Sequence, residues 1–151
     1  MVFGGAEMTK VLVIQGADMH LRGKTKDQIA LFGNATLDDI NNEIYRYAKE
    51  LRINAEIFQS NFEHEVITQI SSAESNKFDA AMINPAGYTQ AKGRIPETIT
   101  GIDIPVIEIH MSNPTSRGIT SEIQPVCEGS IYGFGIYGYY LGLDGIKNLM
   151  G

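Results

Sequence analysis

Glu108 and His110 stand two residues apart in the run Val106-Ile107-Glu108-Ile109-His110-Met111-Ser112-Asn113, the chain's clearest opening for proton chemistry. The run follows Pro105 and is rich in β-branched residues, so it reads as a strand. Side chains alternate across a strand, which puts Val106, Glu108, His110 and Ser112 on one face and Ile107, Ile109 and Met111 on the other. A strand buried in an α/β sheet is apolar on both faces. A carboxylate and an imidazole there cost free energy unless each satisfies the other. Paired, the glutamate orients a ring that can give or take a proton near neutral pH, and Ser112 adds a hydroxyl at the strand mouth. The same spacing also suits a histidine held by a structural hydrogen bond with no chemistry attached.

The elements that must position these groups follow a simple alternation. Lys10 to Gln15 is a short apolar run closed by Gly16, a buried first strand. Gly16 to Gly33 reads as a long polar loop holding Asp18, His20, Arg22, Lys24, Lys26 and Asp27, of the kind that forms a lid or binding loop. Thr36, with Asp39 three residues on, marks a capped helix running to about Leu51. A strand over Ala55–Gln59, a helix over Glu63–Ser72 and a strand over Ala80–Asn84 follow. A third helix lies between Lys92 and Thr100, and a fourth strand over Ile104–Met111. Asn113 to Pro125 is a second long loop. A fifth strand over Val126–Gly133 carries Cys127, and a final helix spans Gly135–Leu149. Strand–helix alternation predicts an α/β fold, a flavodoxin-like doubly wound five-stranded parallel sheet, with residues 1–9 a tail and 10–151 one domain. Ligands of such sheets bind beyond the carboxyl ends of the strands. That rule gathers Gly16–Gly33, Asn84–Gln90 and His110–Ser121, and with them Asp18, His20, Asn84, Gln90, Glu108, His110 and Ser112, around one crevice.

Bulk properties exclude other classes. A net charge of −6 disfavours general nucleic-acid binding, which runs on basic patches. The single cysteine, Cys127, permits no internal disulfide and points to a reducing, cytoplasmic compartment. No apolar run reaches membrane-spanning length, and Met1 to Met8 lacks the basic start and apolar centre of a signal peptide. Gly133-Phe134-Gly135-Ile136-Tyr137-Gly138 has the spacing of a dinucleotide fingerprint but follows no βαβ context. Its glycines are expected to allow close helix packing instead. His20, His64 and His110 have no metal-ligand spacing.

With these residues in view, the chain resembles the type II dehydroquinases (3-dehydroquinate dehydratases) from about Lys10 to Ile146. The resemblance rests on Phe58-Gln59-Ser60-Asn61 with Glu63, on Ile83-Asn84-Pro85 with Tyr88-Thr89, and on Glu108-Ile109-His110-Met111-Ser112-Asn113. It implies anti elimination of water through an enolate, with no metal and no cofactor, on a small carboxylate substrate. It also implies a homo-oligomer of trimers assembled into a dodecamer. By position, His110 matches the family's general acid, Glu108 its orienting carboxylate and Asn84 an amide that helps hold the acid. Ser112 and the Met111 backbone match its carboxylate-binding turn.

The other half of the resemblance departs. The family's lid carries an arginine and a tyrosine that takes the C2 proton; here Phe32 stands before Gly33, and Lys24 or Lys26 is the expected stand-in for the arginine. Gln90 replaces a hydroxyl-binding histidine, Arg117 remains in the shortened loop after the fourth strand, and Glu97 aligns with an acidic residue reaching in from a neighbouring subunit. Asp18 and His20 are then the candidate bases or ligand contacts. Two expectations stand: a dehydratase with a rearranged base, or a family member that binds a different small carboxylate and has lost this activity.

Overall fold

Apolar alternation builds the sheet. In Thr9–Ala17 (β1), Val11 and Val13 face one side and Leu12 and Ile14 the other, and all four are buried. Strands Ile53–Gln59 (β2), Ala80–Ala86 (β3), Val106–His110 (β4) and Gly129–Tyr132 (β5) complete five parallel strands in the order β2-β1-β3-β4-β5. This computed structural model describes residues 8–151. The expected tail therefore falls largely outside the described residues.

Helices Leu37–Leu51 (α2) and Tyr137–Met150 (α5) cover one face. Ile40, Ile44 and Tyr47 of α2 and Tyr139, Leu143 and Ile146 of α5 pack on Val11, Val13, Met82, Ile107 and Ile109. Helices Glu63–Ser71 (α3) and Arg94–Thr100 (α4) cover the other, through Val66, Ile70, Ile95 and Ile99 against Leu12, Ile14, Ala81 and Ile83. The doubly wound prediction is met in full.

Local signals explain several boundaries. Thr36 caps α2 with a reciprocal box: its Oγ1 accepts from Asp39 N at 3.2 Å, and Asp39 Oδ2 accepts from Thr36 N at 3.0 Å. The fingerprint glycines do not serve close packing: Gly133 and Gly135 take the left-handed region, at φ 95° and 61°, and the tight position is Gly142, one turn after Gly138. A Cβ at Gly142 would meet Met82 Sδ at 2.6 Å and Ile109 Cδ1 at 2.7 Å, whereas one at Gly138 would find ordinary contact at 3.7 Å. Gly16 is required by the approach of β1 to β3, since a Cβ there would lie 2.1 Å from the Pro85 carbonyl oxygen.

Two expectations need correction. The segment Gly16–Gly33 is not a bare loop: it holds a 3-10 turn over Met19–Leu21 and a helix over Lys26–Phe32 (α1). Thr25 caps α1 by accepting from Gln28 N at 3.2 Å, a side-chain cap that the polarity of the segment obscured. Cys127 does not lie on a strand. It follows a 3-10 turn at Gln124–Val126 and is half-buried against the α3–α4 side, because β5 begins only at Gly129. Burial, with Glu108 and Glu128 nearby, pushes its thiol up to about 12.

Candidate active site

The carboxyl ends of β1, β3 and β4 lie side by side, where the strand order reverses on either side of β1. Strand ends at such a switch point splay their following loops apart and leave a crevice. Here it is a cavity of about 320 Å³ walled by Ala17 and Asp18 at the end of β1, by Asn84, Ala86, Gly87, Thr89 and Gln90 at the end of β3, and by His110, Met111 and Ser112 at the end of β4. The lid closes it with Arg22, Gln28 and Phe32, and the turn after β4 adds Arg117.

At the floor, β4 delivers the expected pair. His110 Nε2 lies 2.7 Å from Glu108 Oε2. Glu108 is fully buried, yet its two oxygens also accept from Ser121 Oγ at 2.5 Å, Ser130 Oγ at 2.8 Å and Tyr132 Oη at 3.0 Å. Burial by itself would raise this carboxyl. The bonds from His110, Ser121 and Ser130 and the nearby imidazole outweigh it and hold the group below its ordinary value. An ionised Glu108 fixes the proton of the imidazole on Nε2 and leaves Nδ1 as the nitrogen for the cavity. Tyr132 also sets its ring edge-on to His110, centroids 4.7 Å apart. Its hydroxyl is pushed up to about 12 by burial and by Glu108, so it stays a donor.

Ser121, Ser130 and Tyr132 had not been singled out. The signal was present for two of them: Ser130 and Tyr132 alternate with Ile131, and the register pairs Glu108 with Ser130 and His110 with Tyr132. Ser121 arrives from an irregular loop and carried no periodic signal.

Asn84 lines the cavity and is buried. Its Nδ2 donates to Tyr139 Oη at 2.8 Å and its Oδ1 accepts from Ala86 N at 3.2 Å. These contacts, rather than one to His110, orient it. Tyr139 in turn donates to Gln15 Oε1 at 2.7 Å. Burial pushes this phenol up to about 12, against the bonds from Asn84 and Gln15 and the charge of Arg22.

Of the remaining predicted residues, Asp18, Gln90, Met111, Ser112 and Arg117 line the cavity. Arg117 Nη1 donates to Ser112 Oγ at 2.9 Å, which ties a cation to the strand mouth. Asp18 sits in the left-handed region at φ 70°, its amide donating to Asn61 Oδ1 at 3.0 Å. Neither His20 nor Lys26 is among the lining residues, and His20 Nδ1 is turned to Asn61 Nδ2 at 3.3 Å.

The lid cation is Arg22 rather than Lys24 or Lys26. It is 4% exposed, bonds through Nη1 to Gln28 Oε1, and sets its Cζ over the Phe32 ring, 3.6 Å from the centroid. Sequence reading passed over it because burial of an arginine without a carboxylate partner is rare. Among the described residues no group of three or more metal-ligating side chains comes together.

The arrangement holds an oriented imidazole, a carboxylate and two guanidinium groups about one small cavity. Residues 9–147 match the family described as "Dehydroquinase class II". A 3-dehydroquinate dehydratase of Thermoanaerobacter pseudethanolicus is 43% identical over 145 residues, 94% of this chain and 96% of that one. One of Caldicellulosiruptor bescii is 40% identical over 146 residues, 95% of this chain and 99% of the relative. The crystal structure of a type II dehydroquinase from Butyrivibrio crossotus superposes with a TM-score of 0.88 at 32% identity, covering 94% of this chain and 99% of that one.

Proposed function

This chain belongs to the class II dehydroquinase family, and on that premise we propose that it is a 3-dehydroquinate dehydratase, a hydro-lyase that forms 3-dehydroshikimate. The observation that carries the reading is the buried Glu108–His110 pair opening onto the cavity. In the reaction a base removes the C2 proton, and the C–H electron pair forms an enolate with the C3 carbonyl. The enolate then re-forms the carbonyl as the C1 hydroxyl departs, protonated by His110, and water is released. Glu108 holds the ring and offsets the charge of the imidazolium that must precede the second step.

Ser112 with Arg117 suits the substrate carboxylate, because a hydroxyl and a planar cation sit together at the strand mouth. Asn84 and Gln90 offer amides to the ring substituents. Asp18 is the base in this reading. It is the one carboxylate among the lining residues, and it follows the end of β1, two strands from β4 and His110. Phe32, where a family tyrosine would stand, takes no proton.

The test is ultraviolet detection of dehydroshikimate from 3-dehydroquinate. Wild type should turn over, His110→Ala should lose activity, and Asp18→Asn should fall by about 10²–10⁴-fold, the usual contribution of a positioned base. Undiminished activity in His110→Ala would overturn the acid assignment. Phe32 itself favours a second reading, in which the cavity binds another small carboxylate without this elimination. No turnover in wild type, with a different ring carboxylate protecting the fold, would select that reading.

We further propose a trimer-based dodecamer in which Glu97, exposed on α4, meets a neighbouring subunit. Light scattering that reports a monomer at micromolar concentration would refute it. Among the described residues no helix is long and apolar enough to cross a membrane, and a cytoplasmic location is part of the same proposal.

A further inference from the structure

Strand β5 places two side chains behind the cavity that the elimination itself does not call on. Tyr132 and Ser130 stand beside His110 and Glu108 in the β4–β5 register, and partners in a parallel register share a face of the sheet. Neither lines the cavity, so neither is set to touch a ligand there. Both donate to the same carboxylate oxygen, Glu108 Oε1, Ser130 Oγ at 2.8 Å and Tyr132 Oη at 3.0 Å. Oε2 is left to His110 Nε2 and Ser121 Oγ.

Tyr132 supplies more than a donor. Its ring packs against the imidazole of His110, with centroids 4.7 Å apart and planes at 74°. The imidazole makes one hydrogen bond among the described residues, from Nε2 to Glu108. One hydrogen bond fixes one atom of the ring, and the χ2 torsion of a histidine is broad, which leaves the plane free to turn about that bond. The Tyr132 ring is the surface that stops it. The hydroxyl of the same residue is tied back to the carboxylate that holds the imidazole. Three side chains thereby close a cycle: His110 Nε2 to Glu108 Oε2, Glu108 Oε1 to Tyr132 Oη, and the Tyr132 ring to the His110 ring. Burial and Glu108 push the phenol up to about 12, so it keeps its proton and its bond to Glu108 runs in one direction only.

We propose that Tyr132 is a positioning residue for proton transfer by His110, its ring setting the imidazole plane and its hydroxyl anchoring that ring to Glu108. The assignment rests on the dehydratase reading. In that reaction the Nδ1 proton passes to the C1 hydroxyl as the C1–O bond breaks and its electron pair leaves with the water. The C2–C3 pair of the enolate moves to form the C1–C2 double bond, and the oxygen pair restores the C3 carbonyl. The transfer requires Nδ1 to be aimed at the departing oxygen, and an imidazole free to turn loses that alignment.

Tyr132→Phe keeps the ring and removes its anchor. With 3-dehydroquinate it should lower kcat by about tenfold with KM unchanged, inside the roughly 10²-fold that a misplacement of about 1 Å carries. The slowed step should be the second one: the isotope effect of deuterium at C2 should fall toward one while the solvent deuterium effect rises. Unchanged kcat overturns the proposal. So does a raised KM at constant kcat, and so does a lowered kcat with both isotope effects as in wild type, the mark of a merely structural role. Tyr132→Leu, which takes the ring as well, should show both isotope changes and a larger loss; it decides alone if Tyr132→Phe fails to fold, and unaltered isotope effects in it overturn the proposal. Carbon-13 relaxation of the His110 ring needs no substrate. The imidazole should be rigid in wild type and more mobile in either variant; equal mobility overturns the assignment. Absence of turnover in wild type refutes the dehydratase reading alone, since relaxation still decides whether Tyr132 holds the ring.

Discussion

Replacing Glu108 by glutamine tests the buried network from two sides. Four donors converge on the two carboxylate oxygens: His110 Nε2, Ser121 Oγ, Ser130 Oγ and Tyr132 Oη. An amide presents one acceptor oxygen and one NH2, so two of these donors would face another donor. Hydrogen bonds to a charged group contribute about 1.5–3 kcal/mol each, and neutral ones about half of that. Two lost and two weakened bonds, less the relief of no longer burying a charge, give a loss of about 3–5 kcal/mol, the range found on breaking buried ion pairs. In a domain of this size that lowers the unfolding midpoint by roughly 6–20 °C.

The pH dependence follows from the depressed carboxyl. A group whose folded pKa lies below its unfolded value stabilises the fold above the unfolded value, here 4.5, and loses that contribution as pH falls through the folded one. The gap between wild type and Glu108→Gln should therefore be full at about pH 7 and shrink on acidification below 4.5. Activity should fall by about 10²-fold or more, because the ring is no longer oriented and its cationic form no longer offset. Calorimetry of both proteins across this range, with the dehydroshikimate assay, makes the comparison. A gap that stays constant down to about pH 3 would mean that Glu108 is not ionised in the fold, and the reasoning would fail.

Gly142→Ala should cost about 1–3 kcal/mol by overpacking against Met82 and Ile109, read as a lower denaturant midpoint with kcat unchanged; no destabilisation would place α5 further from the sheet. Tyr139→Phe strands the amide of Asn84 and the carbonyl of Gln15 in the interior and should cost about 1–3 kcal/mol, measured by urea unfolding. Phe32→Tyr should raise turnover, because the Arg22 guanidinium at 3.6 Å from the ring would hold a new phenol below its usual value near 10; no gain at any pH would mean that the ring edge does not reach C2.

Periodicity alone was enough for the sheet, because strands buried on both faces leave unmistakable apolar runs, and Val11 to Ile14 and Ala80 to Ile83 are of that kind. The Glu108–His110 pair was equally legible, since two polar residues on one face of such a strand must answer each other. The capping box at Thr36 and the strand-end placement of Asn84 and Ser112 were local in the same sense. What the sequence left open depends on contacts distant along the chain. Ser130 and Tyr132 join Glu108 only through the β4–β5 register, and Ser121 only through the path of an irregular loop. Arg22, Lys24 and Lys26 were equivalent cations in a polar segment until the turn at Met19–Leu21 and the helix α1 took shape. That geometry buries the first and leaves the two lysines outside the cavity. Which cation faces a ligand is set by how a lid folds back on its own sheet, and no spacing in the chain encodes that without the third dimension.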